Sequence, residues 1–391
     1  MSHESDSMAI ALLEEASLVL DISPSQRETV EKSYGAIGAV LAESDSLSNC
    51  DPHIQAQGSI LLDTVVKPDP DKDFDVDATC LLNCDFKTKS SESIYNLIWD
   101  VLQAHGTYGP MCERKNRCIR IDFADNYHVD VTPCVPNEAS PLAIHVPDRE
   151  LRRWKPSNPQ LYATMFEDVA KLRPRFRPPL IAVANDGRSK TGGVVDPLPP
   201  DAGFRKALLK RIVQCLKRDR DLFFKDRDDA VISVIITTLV SKAYGKLVPL
   251  REFDSMLDLL IDVVEDMVNH IKMKDALVAP NYVVENPAIP AENFAEKWNK
   301  NPKLVLAFYQ WHSRVVENLC ALREAVREQK GNHALTNCVS SIHGSDVATL
   351  AARNIAERTA EAHRENRLII SPSLSIGTAG VTTKPVRYYG K

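Results

Sequence analysis

The sequence predicts an α+β protein in which a mixed lobe of strands and helices is followed by an α-helical lobe. Two observations predict this class. Residues 57–135 contain short runs in which apolar and polar side chains alternate, arranged around one helical segment, which is typical of strands. From residue 204 onward the apolar residues recur at helical spacing instead, as in the amphipathic stripe across residues 252–273.

Length and overall charge limit the kinds of protein that this chain can be. Its 391 residues exceed a typical single domain, so we expect two domains or one large two-lobed unit. The hydrophobic content of 44% and the charged content of 26% are ordinary for a globular protein. The net charge of −5 argues against a general binder of long nucleic acid, which would normally be basic, but it allows a local basic cleft.

Cysteine usage and hydropathy predict a cytoplasmic protein with no membrane partner. The nine cysteines form no C-x-x-C pair, so we expect no zinc site, and reduced thiols fit their odd number best. The start MSHESDSMAI lacks the basic region and apolar core of a signal peptide. The most apolar short run, VISVIITTLV, has ten residues, whereas a membrane span needs roughly 20.

Helical patterns occur at three places in the first part of the chain. Residues 7–20 and 24–43 have helical spacing, and Ser23 followed by Pro24 is typical of a helix start. Residues 91–105 carry their apolar side chains on one helix face. We therefore expect two N-terminal helices and one helix inside the strand-rich region.

Three strands are predicted around that inner helix. Residues 73–82 alternate in the manner of a half-buried strand. The runs CIRIDF and YHVDVTP are two further strands, and the intervening ADN is a turn signal. This pair is therefore predicted to form a hairpin.

Composition changes divide the chain. Residues 136–203 are rich in proline, and the stretches RPRFRPP and VVDPLPPDAG within them predict loops or a linker, whereas residues 303–329 and 345–366 have helical patterns. We therefore expect a mixed lobe with N-terminal helices at residues 1–200, a helical lobe at 201–370 and a flexible tail at 371–391.

Two aspartates share one face of the strand that contains FDVD. Alternate side chains of a strand point to the same side, so Asp75 and Asp77 lie together while Val76 points into the core. Like charges side by side repel, and a divalent cation such as Mg²⁺ would compensate them. The alternative, given about even odds, is an exposed Asp-x-Asp on a solvated strand edge. Asp73 and Asp75 have the same spacing, although the flanking apolar residues favour the second pair.

A third carboxylate follows on the YHVDVTP strand. Asp130 stands between apolar neighbours on a strand that can pair beside the first, and three carboxylates can hold two ions about 3.5–4 Å apart. His128 shares its face and is expected to be a hydrogen-bonded structural histidine. Upstream, the pair Gly58–Ser59 in QGSILLDTVV can bring backbone and hydroxyl close to a phosphate, although most such pairs are ordinary turns.

In this order, the Gly-Ser pair, the Asp-x-Asp pair, the helix and the lone aspartate resemble the DNA polymerase β-like nucleotidyltransferase superfamily. Within it, the sequence is similar to the cyclic GMP–AMP synthase/DncV-like nucleotidyltransferases (CD-NTases), bacterial cyclic oligonucleotide synthases of anti-phage signalling. The resemblance extends over residues 20–275 and is carried by QGSILLDTVVKPDPDKDFDVDATCLL, CIRIDFADNYHVDVTPCVP, AIHVPDRELRRWKPSNPQ, and LLKRIVQCLKRDRDLFF with the following AVISVIITTLVSKAY.

This resemblance implies a polymerase β-like mixed-sheet catalytic lobe, an α-helical second lobe and an active site in the cleft between them. By motif position it implies that the catalytic residues, which bind two Mg²⁺ ions, are Asp75, Asp77 and Asp130. It implies that the residues near the donor triphosphate are Gln57, Gly58 and Ser59. It also implies that the donor phosphates are contacted by Lys217 and Ser233.

The residues themselves support Lys217 independently. Residues 205–227 contain nine Lys or Arg against three Asp, a strong basic excess in an acidic protein. Lys217 stands at the edge of the buried stripe of its helix, where a side chain would reach a cleft. We expect a solvated charged helix face to account for most of the neighbouring cations, namely Arg205, Lys206, Lys210, Arg211, Arg218 and Arg220. Ser233 lies in an apolar run, where a satisfied core serine is more common than a ligand contact.

The implied function is Mg²⁺-dependent synthesis of a cyclic di- or trinucleotide second messenger from nucleoside triphosphates, ATP and possible others such as GTP, in CBASS-type anti-phage signalling. Long nucleic acid and membranes are not expected partners, whereas a regulatory protein or conjugation through the C-terminus is compatible with the resemblance. The alternatives are a linear oligonucleotide- or RNA-extending transferase, a transferase that adenylylates a small molecule, and a non-catalytic nucleotide-binding or antitoxin module.

Overall fold

The fold of the chain is taken from a computed structural model. It describes residues 2–67, 74–84, 87–124, 127–138, 142–150, 152–177, 206–274, 280–365, 369–370, 376–377 and 381–382. The Asp73 alternative therefore lies outside the described residues, as does most of the predicted tail.

A seven-stranded mixed sheet forms the first lobe, and five helices come from the same part of the chain. Its strands are β1 (His53–Ala56), β2 (Phe74–Leu81), β3 (Cys112–Arg114), β4 (Ile119–Phe123), β5 (Tyr127–Pro136), β6 (Ile144–Asp148) and β7 (Arg153–Ser157). The helices are α1 (Ser2–Val19), α2 (Pro24–Ala42), α3 (Gly58–Leu61), α4 (Ser91–Ala104) and α5 (Pro159–Ala170). The strand order is β1-β2-β5-β4-β3, with β6 paired to β5 and β7 to β6.

The central pair of this sheet, β2 and β5, is parallel, and its other neighbours are antiparallel. The predicted strand near FDVD, the predicted helix over 91–105 and the predicted hairpin are confirmed by β2, α4 and the β4–β5 pair. The start of α2 is confirmed as well. Ser23 Oγ accepts a hydrogen bond from the backbone N–H of Gln26, and the Gln26 side chain accepts one from the N–H of Ser23.

Helices dominate the second lobe. They are α6 (Leu208–Phe223), α7 (Ser233–Leu250), α8 (Met256–Asp266), α9 (Glu296–Lys300), α10 (Pro302–Arg327), α11 (Gly331–His343) and α12 (Ser345–Arg364). Short strand pairs join or follow them: β8 (Arg175–Phe176) with β9 (Glu252–Phe253), β10 (Lys272–Lys274) with β11 (Asn281–Val283), and β12 (Ile369–Ile370) with β13 (Ile376–Gly377) and β14 (Val381–Thr382).

Each lobe has its own hydrophobic core. Buried side chains of α2, α4 and the sheet form one core, whereas α6, α7, α8, α10, α11 and part of α12 form the larger one. Helices α1 and α5 pack into the larger core, through Leu12 and Phe166 among others. The division of the chain near residue 200 stays a prediction, but these contacts tie N-terminal elements to the helical lobe. Within the described residues, no helix combines the length and the apolar character that crossing a membrane requires.

Two of the predicted element assignments are wrong. RPRFRPP is predicted as a loop or linker, but its Arg175–Phe176 pairs with β9 as strand β8, and VVDPLPPDAG lies outside the described residues. The rest of the proline-rich part contains β6, β7 and α5, and Asn158 caps α5 through the N–H of Leu161 at 3.0 Å with Pro159 at its first position. The single helix predicted over 252–273 is interrupted, because Glu252–Phe253 pairs with β8 and Ser255 begins α8 by accepting from the N–H of Asp258.

The solvated basic face predicted around α6 is also wrong for Lys206, which precedes the helix, and for Lys210 and Arg211, which lie on it. Lys206 pairs with Asp21 at 2.6 Å, Arg211 pairs with the same carboxylate at 2.8 Å, and Lys210 pairs with Glu167 at 2.9 Å. The side chains of these three cations are only 13–15% exposed. The helix is packed by α1, α5, α7, α10 and α11, so internal carboxylates take the place of water. Arg205 lies outside the described residues.

Candidate active site

The parallel pairing of β2 with β5 brings the predicted carboxylates together. Asp75 is in register with His128, and Asp77 is in register with Asp130. Because residues two apart on a strand share a face, all four side chains stand on the same side of the sheet. We call Asp75, Asp77 and Asp130 the acidic cluster. Alternation predicted that Asp75 and Asp77 share a face and that Asp130 lies on a strand able to pair beside theirs.

Two members of the acidic cluster, together with His128, have the spacing of a cation site. One ligand atom each from Asp75, His128 and Asp130 lies within 4.8 Å of the other two. Oxygen-rich groups of this kind suit a hard divalent cation. The Asp75 side chain is 64% exposed and Asp130 is 13% exposed, so the cluster is open to a ligand on the Asp75 side.

The surroundings of Asp77 disfavour the ionised form of its carboxyl group. Burial raises the pKa of Asp77 to about 7, and the negative charges of Asp75 and Asp130 add to the increase. A carboxyl group with this pKa is half protonated near neutral pH unless a cation joins it. The donor set therefore fits a divalent ion, whose positive charge would favour the ionised form of Asp77 that burial and the two neighbouring carboxylates disfavour.

Gly58 makes room for Asp77. A Cβ atom at Gly58 would lie 2.0 Å from Asp77 Oδ2, and the residue has a φ of +62°, where a side chain is strained. The backbone N–H of Gln57 also donates to the Asp77 carbonyl oxygen at 2.9 Å. The glycine of the Gly-Ser motif therefore permits a close approach to a carboxylate of this protein, in addition to any approach to substrate.

His128 has the structural hydrogen bond that the sequence predicted. Its Nε2 is bonded to Asp75 Oδ1. This hydrogen bond is the largest influence that lowers the pKa of Asp75. Burial alone would lower the pKa of His128, but the bond to Asp75 and the charge of Asp75 raise it overall. His128 is also close enough to serve as a ligand, which the sequence analysis did not propose.

Arg120 is a site residue that the sequence analysis missed. It stands opposite Asp130 in the β4–β5 register and donates to both carboxylate oxygens, at 2.9 and 2.8 Å. Its Nη2 is also 3.5 Å from Asp75 Oδ1. The alternation in CIRIDF places Arg120 between the buried Ile119 and Ile121, so a strand alignment against Asp130 would have revealed it.

Lys217 reaches the cleft, as the helix pattern predicted. Its Nζ donates to the carbonyl oxygen and to Oγ1 of Thr64, at 3.1 and 3.0 Å, and the residue is 6% exposed. Burial, together with the nearby charge of Arg220, lowers the pKa of Lys217 to about 7. A bound anion would restore the charged form.

Two further arginines of α6 line the cleft beside Lys217. Arg220 donates to Ser233 Oγ at 2.9 Å and to the Val231 carbonyl oxygen at 3.2 Å, so the predicted phosphate contact Ser233 is held by a cation. Arg218 donates to the His343 carbonyl oxygen at 3.0 Å. We call Lys217, Arg218 and Arg220 the basic wall. Arg218 and Arg220 had been assigned to a solvated face, and the packing around α6 overturns that assignment.

A cleft of about 500 Å³ joins these parts and is lined by residues of both lobes. The sheet lobe contributes Gly58, Ser59, Asp75 and Asp77, and the helical lobe contributes the basic wall and Ser233. The lining does not include Gln57, which precedes α3 as its N-cap residue. The structure therefore brings six of the eight predicted site residues to the lining of one cleft. Asp130 is not in the lining but lies beside Asp75, and Gln57 is outside the lining.

This combination can perform phosphoryl chemistry. Carboxylates that hold divalent ions beside cations that hold phosphates are the parts that nucleotidyl transfer needs, because the reaction develops negative charge on phosphate oxygens.

Comparisons with known proteins agree with this arrangement. Residues 13–169 match the model of the Second Messenger Oligonucleotide or Dinucleotide Synthetase domain. Over 366 residues the chain is 25% identical to a c-di-GMP synthase of Roseivirga ehrenbergii, with 91% of this chain and 90% of the relative covered. The matched domain includes the entire acidic cluster.

Solved structures share the fold. The CD-NTase CdnG of Bradyrhizobium diazoefficiens, in complex with GTP, superposes with a TM-score of 0.64 at 17% identity, covering 90% of this chain and all 100% of that one. The E. coli MS115-1 CdnC:HORMA-deltaN complex gives a TM-score of 0.60 at 11% identity, covering 88% and 99%. These superpositions show that the chain shares the fold of CdnG and CdnC over most of its length.

Proposed function

We propose that this protein is a Mg²⁺-dependent synthase that joins two nucleoside triphosphates into a cyclic dinucleotide. The observation that carries the proposal is the convergence of Asp75, Asp77 and Asp130 beside a cleft whose other wall is basic. The relative named c-di-GMP synthase supports the cyclic product, and the CdnG complex with GTP supports a nucleoside triphosphate as substrate. A role in CBASS-type defence in the cytoplasm, with or without a regulatory or conjugated partner, remains part of the proposal.

The roles of the residues follow from their charges. Lys217 and Arg220 would hold the triphosphate, with Ser59 and Ser233 donating hydroxyl hydrogen bonds to its oxygens. The acidic cluster would hold two Mg²⁺ ions, which when bound would neutralise the leaving pyrophosphate and lower the pKa of the acceptor hydroxyl. Arg120 holds Asp130 in its orientation from the opposite side.

The reaction is a displacement at phosphorus. A ribose hydroxyl oxygen of the acceptor nucleotide bonds to the α-phosphorus of the donor, the bond to the pyrophosphate oxygen breaks, and the hydroxyl proton leaves to a carboxylate or to water. The cleft raises the rate by holding the two groups in line. A second displacement, by the free hydroxyl of the linear intermediate on its own triphosphate, would close the ring and release a second pyrophosphate.

Extension of a long acceptor is disfavoured by the same structure. Lys206, just before α6, and Lys210 and Arg211 on it are engaged by Asp21, Asp63 and Glu167. They are therefore not free to form the exposed basic track that a long phosphate backbone needs.

A product assay tests the proposal. The protein is incubated with Mg²⁺ and labelled ATP, GTP or both, then with phosphatase, and the products are separated. We expect a phosphatase-resistant cyclic product from the wild type and from the matched control Asp100→Asn on α4, but none from Asp130→Asn. A ladder of linear products would replace the proposal with a linear transferase. No product in any nucleotide mixture, from folded protein, would favour a binding module.

A further inference from the structure

Part of the cleft wall has no role in phosphate or metal binding. The segment between β11 and α9 contributes Asn286, Glu292 and Phe294 to the lining. A carboxylate there is unexpected, because a negative group near a triphosphate site repels the phosphates. Unlike Asp75 and Asp77, Glu292 is not part of the acidic cluster, and a part of the substrate that donates hydrogen bonds would suit it.

The Glu292 side chain is held in place. Asn286 is 4% exposed and donates from Nδ2 to Glu292 Oε2 at 2.7 Å, while its backbone N–H donates to the Glu292 carbonyl oxygen at 3.0 Å. Asn286 is itself fixed, because its Oδ1 accepts from the N–H of Ala288 at 2.8 Å. A carboxylate held in this way loses little rotamer entropy on binding.

Among the described residues, no cation pairs with the carboxylate of Glu292. Among the residues that the structure describes, its carboxylate takes part in no ion pair, and its one side-chain partner is the neutral amide of Asn286. Each carboxylate oxygen has two acceptor positions, so both oxygens can still accept from a ligand. The group offers two adjacent acceptors and no donor.

Phe294 supplies the apolar surface next to this carboxylate. Its backbone N–H donates to the Val284 carbonyl oxygen at 2.9 Å, and its ring meets Tyr162 edge to face at 6.2 Å. An aromatic ring in a nucleotide cleft stacks on a base of any type. Stacking holds a base without selecting it, so selection falls to the hydrogen-bonding group beside it.

Guanine is the base that matches two adjacent acceptors. Its Watson–Crick edge presents N1–H and the 2-amino group side by side, and a carboxylate can accept from both. Adenine presents an acceptor, N1, at the same place, and so would repel the carboxylate. Hypoxanthine keeps N1–H but lacks the 2-amino group, which makes it the informative comparison.

We propose that Glu292, oriented by Asn286, selects guanine as a base for this nucleotidyltransferase. The inference rests on the proposed function, since it names the substrate base of that same cleft. It assigns Glu292 a contact with the base and Asn286 a positioning role.

Binding in the absence of turnover tests the proposal. The full-length protein is titrated calorimetrically with GTP, ITP and ATP, with Ca²⁺ in place of Mg²⁺, and chromatography checks that no product forms. Because hydrogen bonds to a charged group contribute about 1.5–3 kcal/mol, we expect GTP to bind about 10- to 100-fold more tightly than ITP, and ATP to bind more weakly than both.

The variant Glu292→Gln makes the test specific. Its amide can accept from one adenine donor and donate to adenine N1, so we expect the GTP/ITP ratio to fall below about three-fold and ATP binding to tighten. Glu317→Gln, an exposed exchange on α10, should leave all three affinities unchanged. Asn286→Ser should narrow the GTP/ITP ratio partly, since it loosens the carboxylate without removing it.

The outcomes separate this inference from the proposed function. Equal affinities of the wild type for GTP and ITP would overturn the guanine assignment, and this ligand series does not depend on whether any variant folds. A GTP/ITP affinity ratio that is unchanged in folded Glu292→Gln would overturn the guanine assignment as well. A protein that selects guanine but makes no cyclic product would retain the assignment to Glu292 and reject the synthase.

Discussion

The acidic cluster and the basic wall face the same cleft, yet the local sequence predicts the environment of the first and not that of the second. On β2 and β5 a period of two places each aspartate, and the parallel register then aligns Asp77 with Asp130. On α6 the basic residues belong to a helix that is packed by five other helices, so helical spacing cannot tell a buried cation from a solvated one. A strand face is decided locally, whereas the environment of a helix face is decided by tertiary packing.

The pKa values of Asp77 in the acidic cluster and of Lys217 in the basic wall are shifted in opposite directions. Burial and like charges raise the pKa of Asp77 to about 7, and burial with the charge of Arg220 lowers the pKa of Lys217 to about 7. Each region therefore holds less than its full charge near neutral pH without ligands. Binding of a divalent ion to one and a triphosphate to the other would restore both charges together, which is a physical reason for them to share a cleft.

The largest effect is expected in the acidic cluster. Asp75→Asn or Asp130→Asn should lower kcat/KM for cyclic dinucleotide formation by about 1,000-fold or more, because an amide ligand lacks the charge that a metal site needs. Thermal unfolding should move by only a few degrees, and the exposed Asp100→Asn should have neither effect. A turnover within a few-fold of wild type in either site variant would contradict the role of the cluster.

The next largest effect concerns Gly58. A methyl group there would meet Asp77 Oδ2, and the φ of +62° costs about 1–2 kcal/mol for a residue with Cβ. Gly58→Ala should therefore destabilise the fold and displace Asp77, lowering activity by about 100-fold. Gly35→Ala, in α2 with nothing within 4 Å of the new atom, should stabilise the protein by about 0.5–1 kcal/mol. Equal melting temperatures and activities for the two variants would refute this assignment.

Replacement of Lys217 tests the basic wall through both activity and stability. Lys217→Met should raise the KM for nucleotide and lower kcat/KM by about 10- to 100-fold, because one charge-assisted phosphate contact is lost. The exposed Lys225→Met serves as the control. An unchanged KM would exclude Lys217 from phosphate binding.

The pH dependence of stability gives a second test of Lys217. Its pKa is about 7 in the folded state and its ordinary value is 10.5, so the unfolded chain binds more protons between these pH values. The Lys217 contribution to the free energy of unfolding should therefore rise with pH across this window, by up to about 1.4 kcal/mol per unit. The difference between wild type and Lys217→Met in denaturant unfolding from pH 7.5 to 9.5 should show this slope, whereas a flat difference would contradict the burial.

An effect of the same size, but confined to kcat, is expected for Arg120, which acts through Asp130. Arg120→Gln should lower kcat by about 10- to 100-fold while the KM for nucleotide stays within about two-fold, as is typical when a partner of a metal ligand is lost. The Mg²⁺ concentration for half-maximal activity should shift as well. Arg153→Gln on the exposed side of β7 should change none of these quantities. A KM effect larger than the kcat effect would instead place Arg120 in substrate binding.

The sequence predicted the sheet part of the site more fully than the helical part. The Ser23 cap, the β4–β5 hairpin and the shared face of Asp75 and Asp77 follow from local rules, and all are observed. Arg120 was missed because its contact with Asp130 depends on which strand pairs with β4. The division of residues 252–273 was missed because the amphipathic stripe was followed without a break past Ser255, although the position of Ser255 three residues before Asp258 is typical of a helix cap.

Glu292 illustrates what local patterns cannot supply. Nothing in the segment around it has a motif or a periodicity, and its place in the cleft depends on the fold of the chain between β11 and α9. The sequence therefore predicted a reaction, whereas the choice of base required the structure.

The most direct test of the account is a crystal structure of the protein with Mn²⁺ and a non-hydrolysable GTP analogue, with anomalous diffraction to locate the metal. We predict two manganese peaks about 3.5–4 Å apart, each within about 2.0–2.3 Å of carboxylate oxygens of Asp75, Asp77 or Asp130, with the triphosphate against Lys217. Metal bound elsewhere, or an acidic cluster without metal beside a bound triphosphate, would contradict the account.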